Sequence, residues 1–376
     1  MRRLILLTLV LIGLLASMLT ACAKPAATTP PASPTISVTP TTPAVTPTSP
    51  TPSIITPPTT PAPSPTPTPT PVRKLDNIRL VGTIGPLTIP LAYMVENNSL
   101  AAVANKTTLD IWATPAQLQA MVTGAQADFL SLPSNGAATF YNRGVKLQFL
   151  DNSIWNILFV VTPDTEIRTV TDLKGKKVVV PYQHAVPDAM FQSLVQQYGM
   201  DLNKDITISY APDPIQASQL LLTGMERYVL LSEPSATSVI LRGESSGLKF
   251  VRAINVGAAW KEPWGSRPVT PVAGTIVLGE MINKPEVVKV FMTEYAKAVD
   301  WMLANPEKAG EVGARALAQQ GFTAPVLTAS LKNVEWRFVT AIEARSDLEN
   351  FFNTLARVSP NFIGGKLPDD GFYFKP

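Results

Sequence analysis

The chain has 376 residues, with 31 Lys+Arg against 28 Asp+Glu, a single histidine and a single cysteine. That balance provides no basic excess for nucleic acid, one cysteine cannot close an internal disulfide, and a lone histidine has no histidine partner for a metal site or a catalytic triad. No H-E-x-x-H, CxxC or P-loop pattern occurs, so the site chemistry of the known metalloprotease, redox and nucleotide templates is missing.

In chain order, Arg2 and Arg3, an apolar run from Leu4 to about Leu15 and the small residues after it predict an export signal over 1–21. The apolar run is too short for a membrane span. Leu19-Thr20-Ala21-Cys22 resembles the lipobox of bacterial lipoproteins. The resemblance implies cleavage before Cys22 and a lipid anchor on Cys22. The other reading is an uncleaved signal anchor with an inert Cys22. Several acyl chains on one protein hold it stably at a membrane, where one would be marginal. Loss of 1–21 leaves 29 basic residues against 28 acidic.

Residues 25–71 hold 17 prolines and 15 threonines and no charged residue. Such a segment cannot bury enough apolar surface to offset its ordering entropy. It reads as a disordered, extended linker over 22–72, reaching at most roughly 150 Å at about 3.1 Å per residue. It is either a stalk, a Ser/Thr/Pro tract being also a common glycan acceptor, or a featureless tether.

From Arg73 onward, short apolar strands alternate with helical stretches. Strands are expected at 77–84, 107–114, 127–133 and 145–152, and helices at 89–103, 115–125 and 134–144. After 155–163 the alternation restarts, with strands at 176–181, 206–212, 228–234 and 248–256 and helices at 188–200 and 214–225. A strand at 271–279 reads as the return crossing, and the tail from Pro285 has apolar residues at helical spacing. The expectation is an α/β protein of two Rossmann-like lobes with a ligand cleft between them: lobe one over 73–160, lobe two over 161–268, and a return to lobe one with C-terminal helices packing on the lobes over 269–376.

Several runs, in this order, resemble the type II periplasmic solute-binding proteins of ABC importers. Their nearest branch is the SsuA-like one that takes nitrate, sulfonates, taurine and thiamine pyrimidines. "GTIGPLTIPLAYMVENNSL" is similar to that family's first strand and helix, with Asn98-Ser99 where many members carry a glycine step. "TGAQADFLSLPSNGAATFYNRGVKLQFL" and "VTDLKGKKVVVP" (170–181) follow. "LLLTGMERYVLLSEPSAT" (220–237) is similar to a G-x-x-D-A-x-x-x-x-E-P run, with Glu233-Pro234 in place and Arg227 where the family has an aspartate. The resemblance implies two lobes joined by two crossing segments, closing over a ligand by hinge bending.

In open parallel sheets ligands sit beyond the carboxyl ends of the strands, where helix starts supply N–H groups and partial positive charge that suit an anion. The candidate ligand residues are therefore those in the loops after strands. In lobe one these are Thr83, Gly85, Thr88, Ser134, Asn135 and Asn152; the plainer reading of Thr88, Ser134 and Asn135 is helix capping. In lobe two they are Tyr182, Gln183, His184, Asp213 and Glu233. His184 offers at most a ligand hydrogen bond, a surface or packing role being the plainer reading, and Glu233 precedes a proline that restricts it to an extended turn. Trp155, Trp260, Trp264 and Arg267 flank the crossings. Tryptophan and arginine there would suit an organic anion or flat heterocycle by stacking and charge-assisted hydrogen bonds, or the tryptophans pack the core and hinge.

Three functions stay open on the sequence. The first is a lipid-anchored extracytoplasmic receptor of an ABC importer, monomeric and without cofactor or metal. It would capture a sulfonate, another anion or a pyrimidine-like solute and deliver it to permease and ATPase subunits. The second is a sensing or surface protein on the same fold without transport, for which the Arg227 departure leaves room. The third is a pyrimidine-precursor synthase-like enzyme; relatives of that kind use a histidine and a cysteine-rich motif, and this chain has no cysteine beyond Cys22.

Overall fold

The computed structural model describes residues 74–260 and 270–376. The signal, Cys22, the proline–threonine tract, Trp264 and Arg267 lie outside the described residues.

Two sheets organise the chain. The first contains β1 (Ile78–Thr83), β2 (Thr107–Trp112), β3 (Phe129–Pro133), β4 (Leu147–Asn156), β10 (Ala273–Leu278) and β11 (Glu335–Thr340), in the order β11-β4-β10-β3-β1-β2. The second contains β5 (Leu158–Thr162), β6 (Lys177–Pro181), β7 (Thr207–Ala211), β8 (Tyr228–Ser232) and β9 (Val251–Asn255), in the order β7-β6-β8-β5-β9. Without the edge strand β11 the two layouts are the same. In each, a core of parallel pairs (β1 with β2 and β3; β6 with β7 and β8) meets one antiparallel strand. That strand is the one arriving from the other sheet: β5 pairs antiparallel with β8 and β9, and β10 with β3 and β4. The first crossing falls at Asn156–Leu158, a few residues ahead of the 160/161 boundary taken from the sequence.

Helices follow the parallel strands: α1 (Thr88–Glu96), α2 (Pro115–Thr123), α3 (Ser134–Asn142), α4 (Val186–Gln197), α5 (Pro214–Leu222) and α6 (Ser235–Ser245). The short α7 (Val256–Ala259) ends the second lobe, and α8 (Pro285–Ala304), α9 (Pro306–Ala316), α10 (Ala324–Leu331) and α11 (Arg345–Val358) complete the chain. α1 stops at Glu96, well short of residue 103. Asn98 takes the left-handed conformation (φ 49°), Asn98 N–H donates to the Val95 carbonyl and Ser99 N–H to that of Met94. This is a Schellman stop in which asparagine does what glycine usually does, because its short polar side chain tolerates the left-handed region.

α8 buries Val287, Val288, Phe291, Met292, Tyr295, Ala298, Val299 and Met302 along one stripe, with Phe291 stacked on Phe129 of β3 (4.0 Å between centroids). Full burial of each large apolar side chain is worth about 1.5–3 kcal/mol, so this stripe fastens the tail to the first sheet. The expectation of a helical tail fails at β11. Glu335-Trp336-Arg337-Phe338-Val339-Thr340 alternates at period two with aromatic and branched residues, which suits a pleated strand, and it covers the otherwise open edge of β4. α10 lies against α6 and α11 against α4, so C-terminal helices touch the second lobe on both flanks. No described helix is long and apolar enough to cross a membrane.

Candidate ligand cleft

A cleft of about 950 Å³ opens where the carboxyl ends of the parallel strands of both sheets face each other. It is bounded by the turns after β1, β2 and β3 and by those after β6, β7 and β8. Of the residues expected from the sequence, Thr83, Gly85 and Asn135 line it from the first lobe and Tyr182, His184, Asp213 and Glu233 from the second.

Four others sit behind the wall, pinned by backbone partners. The Thr88 hydroxyl donates to the Thr83 carbonyl at 2.6 Å, close beneath Gly82, where a Cβ would come within 2.2 Å of that oxygen. The Ser134 hydroxyl donates to the Pro271 carbonyl at 2.5 Å. Asn152 is fully buried and donates its amide to the Ile154 carbonyl at 3.1 Å. Trp155 is buried near the end of β4, donates Nε1–H to the Arg337 carbonyl at 2.7 Å and carries the Arg337 guanidinium 3.8 Å from its ring centroid, so it packs against β11. Trp260 is likewise buried, against Phe351. Gln183 is exposed and outside the lining.

The walls also use residues that the loop argument does not reach. Trp112 forms part of the lining, its indole N–H held by the Ser131 carbonyl at 3.0 Å. Phe140 comes from the far side of α3, Phe322 from the turn before α10, and Phe362 from the C-terminal segment. With Ile84, Leu132, Ile154, Ile157 and Leu158 they make most of the surface apolar.

Polar control is unevenly divided. Lobe two places a carboxylate at the starts of α4, α5 and α6. Asp188, fully buried in the first turn of α4, accepts from His184 N–H (2.8 Å), the Gln192 amide (2.7 Å) and the Tyr210 hydroxyl (3.1 Å). Asp213 caps α5, its Oδ1 accepting from Gln216 N–H at 2.7 Å. Glu233 is 1 % exposed; its Oε1 takes Arg252 at 2.6–2.8 Å and its Oε2 the Thr237 N–H at 3.1 Å. Burial raises the Glu233 carboxyl above its usual range, and Arg252 and Thr237 oppose that shift. Burial, then the Asp213 charge, pushes the Tyr182 phenol up to about 12. Among the described residues, lobe one brings no acid to the lining. Arg227 stands exposed at the opposite, amino end of β8, so its departure from the family pattern does not touch the cleft. Among the described residues, no group of His, Cys, Asp or Glu is placed to hold a metal ion.

The expected supply of free helix N–H groups stays open at α3, where Asn135 and Gly136 N–H find no acceptor among the described residues, and is reduced at the other helix starts. At α1, Thr88 and Ile89 N–H donate to the Gly85 and Pro86 carbonyls (3.2 and 3.1 Å), and Pro90 has none to give. α2 and α5 open on Pro115 and Pro214, and their caps Thr114 and Asp213 absorb the Gln117 and Gln216 N–H groups. α4 carries Pro187 in its first turn, and Glu233 takes the N–H at α6. Proline suits the first turn because the N–H it lacks would be unpaired there, and that same property removes donors from the cleft.

Residues 112–221 match the family described as NMT1/THI5 like. No curated protein matches the chain by sequence. Among solved structures it is similar to an ABC transporter protein of Parabacteroides distasonis (20 % identity over 79 % of this chain and 98 % of that one, TM-score 0.63). It is also similar to the periplasmic aliphatic sulphonate binding protein SsuA of Escherichia coli (15 %, 81 % and 93 %, 0.64) and to the alkanesulfonate-binding protein SsuA of Xanthomonas axonopodis pv. citri bound to MOPS (15 %, 79 % and 96 %, 0.58). The two sheets, their matching strand orders and the antiparallel crossing strands thus form the two-lobed fold of type II periplasmic binding proteins, as the sequence resemblance implied, with an NMT1/THI5-like segment running from the end of β2 into α5.

Proposed function

We infer that the chain is the extracytoplasmic substrate-binding component of an ABC importer. It is held to the membrane through lipid on Cys22, carried on the proline–threonine tether, and captures a small organic solute by closing two lobes about the Asn156–Leu158 crossing and its partner. The observation that carries this is the mostly apolar cleft into which both sheets direct the carboxyl ends of their parallel strands. A cleft built from two bodies can bind tightly and still release, because closure and ligand affinity share one equilibrium. That the similar structures are an ABC transporter protein and two sulfonate-binding proteins supports the importer reading.

The test is thermal stabilisation of the purified chain by sulfonates, nitrate, pyrimidines and amines, with the ligand recovered unchanged. A hit that survives intact and rises with concentration supports binding without turnover; a flat response overturns the reading. Cys22→Ser is expected to move the protein from the membrane fraction to the soluble one, and continued membrane retention would overturn the anchor.

A further inference from the structure

We propose that this cleft takes a solute with a broad apolar body, fused rings or their equivalent, laid on the aromatic wall of the first lobe and meeting Ile215 of the second, and that nitrate and short alkyl sulfonates bind it weakly. The proposal rests on the solute-binding reading above and narrows its ligand class by size and polarity.

Size comes first. The lobes already touch: the Tyr182 hydroxyl donates to the Ala113 carbonyl at 3.0 Å, and the C-terminal helices α10 and α11 reach α6 and α4. The cleft nevertheless keeps about 950 Å³, the upper end of the roughly 300–1,000 Å³ in which drug-sized ligands are held. A nitrate or ethanesulfonate there would leave room for on the order of twenty to thirty waters, at about 30 Å³ each. Those waters would lie against walls that are mostly apolar. Their release favours binding only when a ligand body takes their place.

The walls show what kind of body fits. Trp112, Phe140, Phe322 and Phe362 bring aromatic rings from four separate places in the chain. The Trp112 indole N–H is held by the Ser131 carbonyl, so its ring offers a ligand apolar surface and no donor. Phe322 is braced by Leu317 and Leu327, with Ile84 and Ile111 packed on the same cluster. Flat rings pack on such side chains offset or edge-to-face, with a gain beyond the area they bury. On the second lobe, Ile215 in the first turn of α5 is 53 % exposed although it lines the cleft. Tyr210, Met225, Leu248 and Leu303, the other exposed large hydrophobics among the described residues, lie outside the lining. An apolar body in the cleft would take the Ile215 side chain out of water.

The polar groups leave the choice to the body. Asn135 and Gly136 N–H at the start of α3 find no acceptor among the described residues, and Asp213 brings a carboxylate. A head group of either sign therefore meets a partner, and what separates one solute from another is the apolar area behind it.

Calorimetry on the full chain with two series tests this, each series keeping one head group: ethanesulfonate, benzenesulfonate and naphthalene-2-sulfonate, then ethylamine, benzylamine and 2-naphthylmethylamine. Whichever head group the cleft accepts, affinity is expected to rise about tenfold or more at each step, with an increasingly negative heat-capacity change. Ile215→Ser changes an exposed position and is expected to leave the melting temperature nearly unchanged while weakening the naphthyl ligand about three- to tenfold. Phe322→Leu keeps an apolar side chain there and is expected to weaken it about two- to tenfold through the lost ring contact. Ethanesulfonate or ethylamine should respond to neither substitution. Binding confined to nitrate or to solutes of one ring or fewer overturns the proposal and leaves the solute-binding reading standing. So does a rise with body size that both substitutions leave untouched, since the ligands would then sit elsewhere. No binding by any of these probes, together with a flat response in the wider solute panel, overturns both.

Discussion

Tyr182, in the turn after β6, donates its phenolic proton to the Ala113 carbonyl at the end of β2, 3.0 Å away, and so ties the second lobe to the first across the cleft. Both partners are held in place. Tyr182 sits in the left-handed region (φ 58°), with His184 two residues on (φ 64°), and its own N–H donates to the Ala211 carbonyl at 3.1 Å. Ala113 N–H is held by the Gln117 side chain at 2.8 Å. Non-glycine residues adopt that conformation at a cost, which the surrounding contacts must offset. Tyr182→Phe keeps the ring and removes the tie. A neutral hydrogen bond is worth about 0.5–1.5 kcal/mol, so ligand affinity is expected to fall roughly two- to tenfold. Small-angle scattering of the free protein is expected to show a larger radius of gyration. An unchanged radius and affinity would show that the bond does not hold the lobes together.

Arg252 and Glu233 make a second test, inside lobe two. The carboxylate is buried, the guanidinium reaches it from β9, and the same arginine also donates to the Thr237 hydroxyl at 2.6 Å. Arg252→Met would leave a buried carboxylate without its cation, a loss of about 3–5 kcal/mol. Glu233→Gln in the same chain removes the stranded charge and is expected to restore most of the melting temperature. A mild effect of Arg252→Met alone would mean that water reaches Glu233.

Much of this architecture was legible from alternation, because a strand covered on both faces and a helix with one buried stripe leave different periods in the sequence. The end of α1 was legible only in part: Asn98-Ser99 marked the place, but the stop itself needed backbone geometry. β11 was hidden by the helices around it, since six alternating residues carry little signal beside twenty helical ones. The cleft divides similarly. Residues directly after strands are brought to it by topology alone, and so Thr83, Asn135, Tyr182 and Asp213 line it. Thr88 and Ser134 share that address but turn away, because their hydroxyls find carbonyls, in the case of Ser134 from a residue 137 positions distant. Phe322 and Phe362 come from such distances too, and nothing local in their sequence points to the cleft.

Asp151 predicts how stability depends on pH. It lies fully buried on β4, with the Ser153 and Thr275 hydroxyls donating to its two oxygens and Tyr295 nearby, whose phenol is raised by burial and then by Asp151 itself. Burial dominates and pushes the carboxyl up to about 7, the hydroxyl donors opposing it. The unfolded value is about 3.9. Between these two values the folded state holds a proton that the unfolded state has lost, so stability falls as pH rises from about 4 to about 7, by at most about 1.4 kcal/mol per pH unit. Asp151→Asn is expected to flatten that slope in melting curves and to raise the melting temperature at pH 8 relative to the parent chain. A parent chain equally stable at pH 4.5 and 8 in the presence of the substitution's flat profile would remove Asp151 as the cause.

Gly310 tests whether the C-terminal helices set lobe closure. On α9 it faces α10 so closely that a Cβ would lie 2.0 Å from the Thr328 hydroxyl oxygen and 2.7 Å from the Ala324 carbonyl. The hydroxyl could turn, at the loss of its 3.2 Å bond to the Pro306 carbonyl; the Ala324 carbonyl belongs to the helix backbone and cannot. Gly310→Ala therefore forces the two helices apart. Overpacking of this kind costs about 1–3 kcal/mol, a fall of a few degrees in melting temperature for a chain this long. Because α10 also lies against α6 of the second lobe, the displacement is expected to reach the cleft and to change ligand affinity, though Gly310 itself lines no part of it. Thr328→Ala alone leaves the helix spacing intact and is expected to be mild, and added to Gly310→Ala it should recover only part of the loss, since the Ala324 carbonyl remains in the way. Lost stability with an unchanged ligand affinity would show that α9 and α10 brace the first lobe without governing closure.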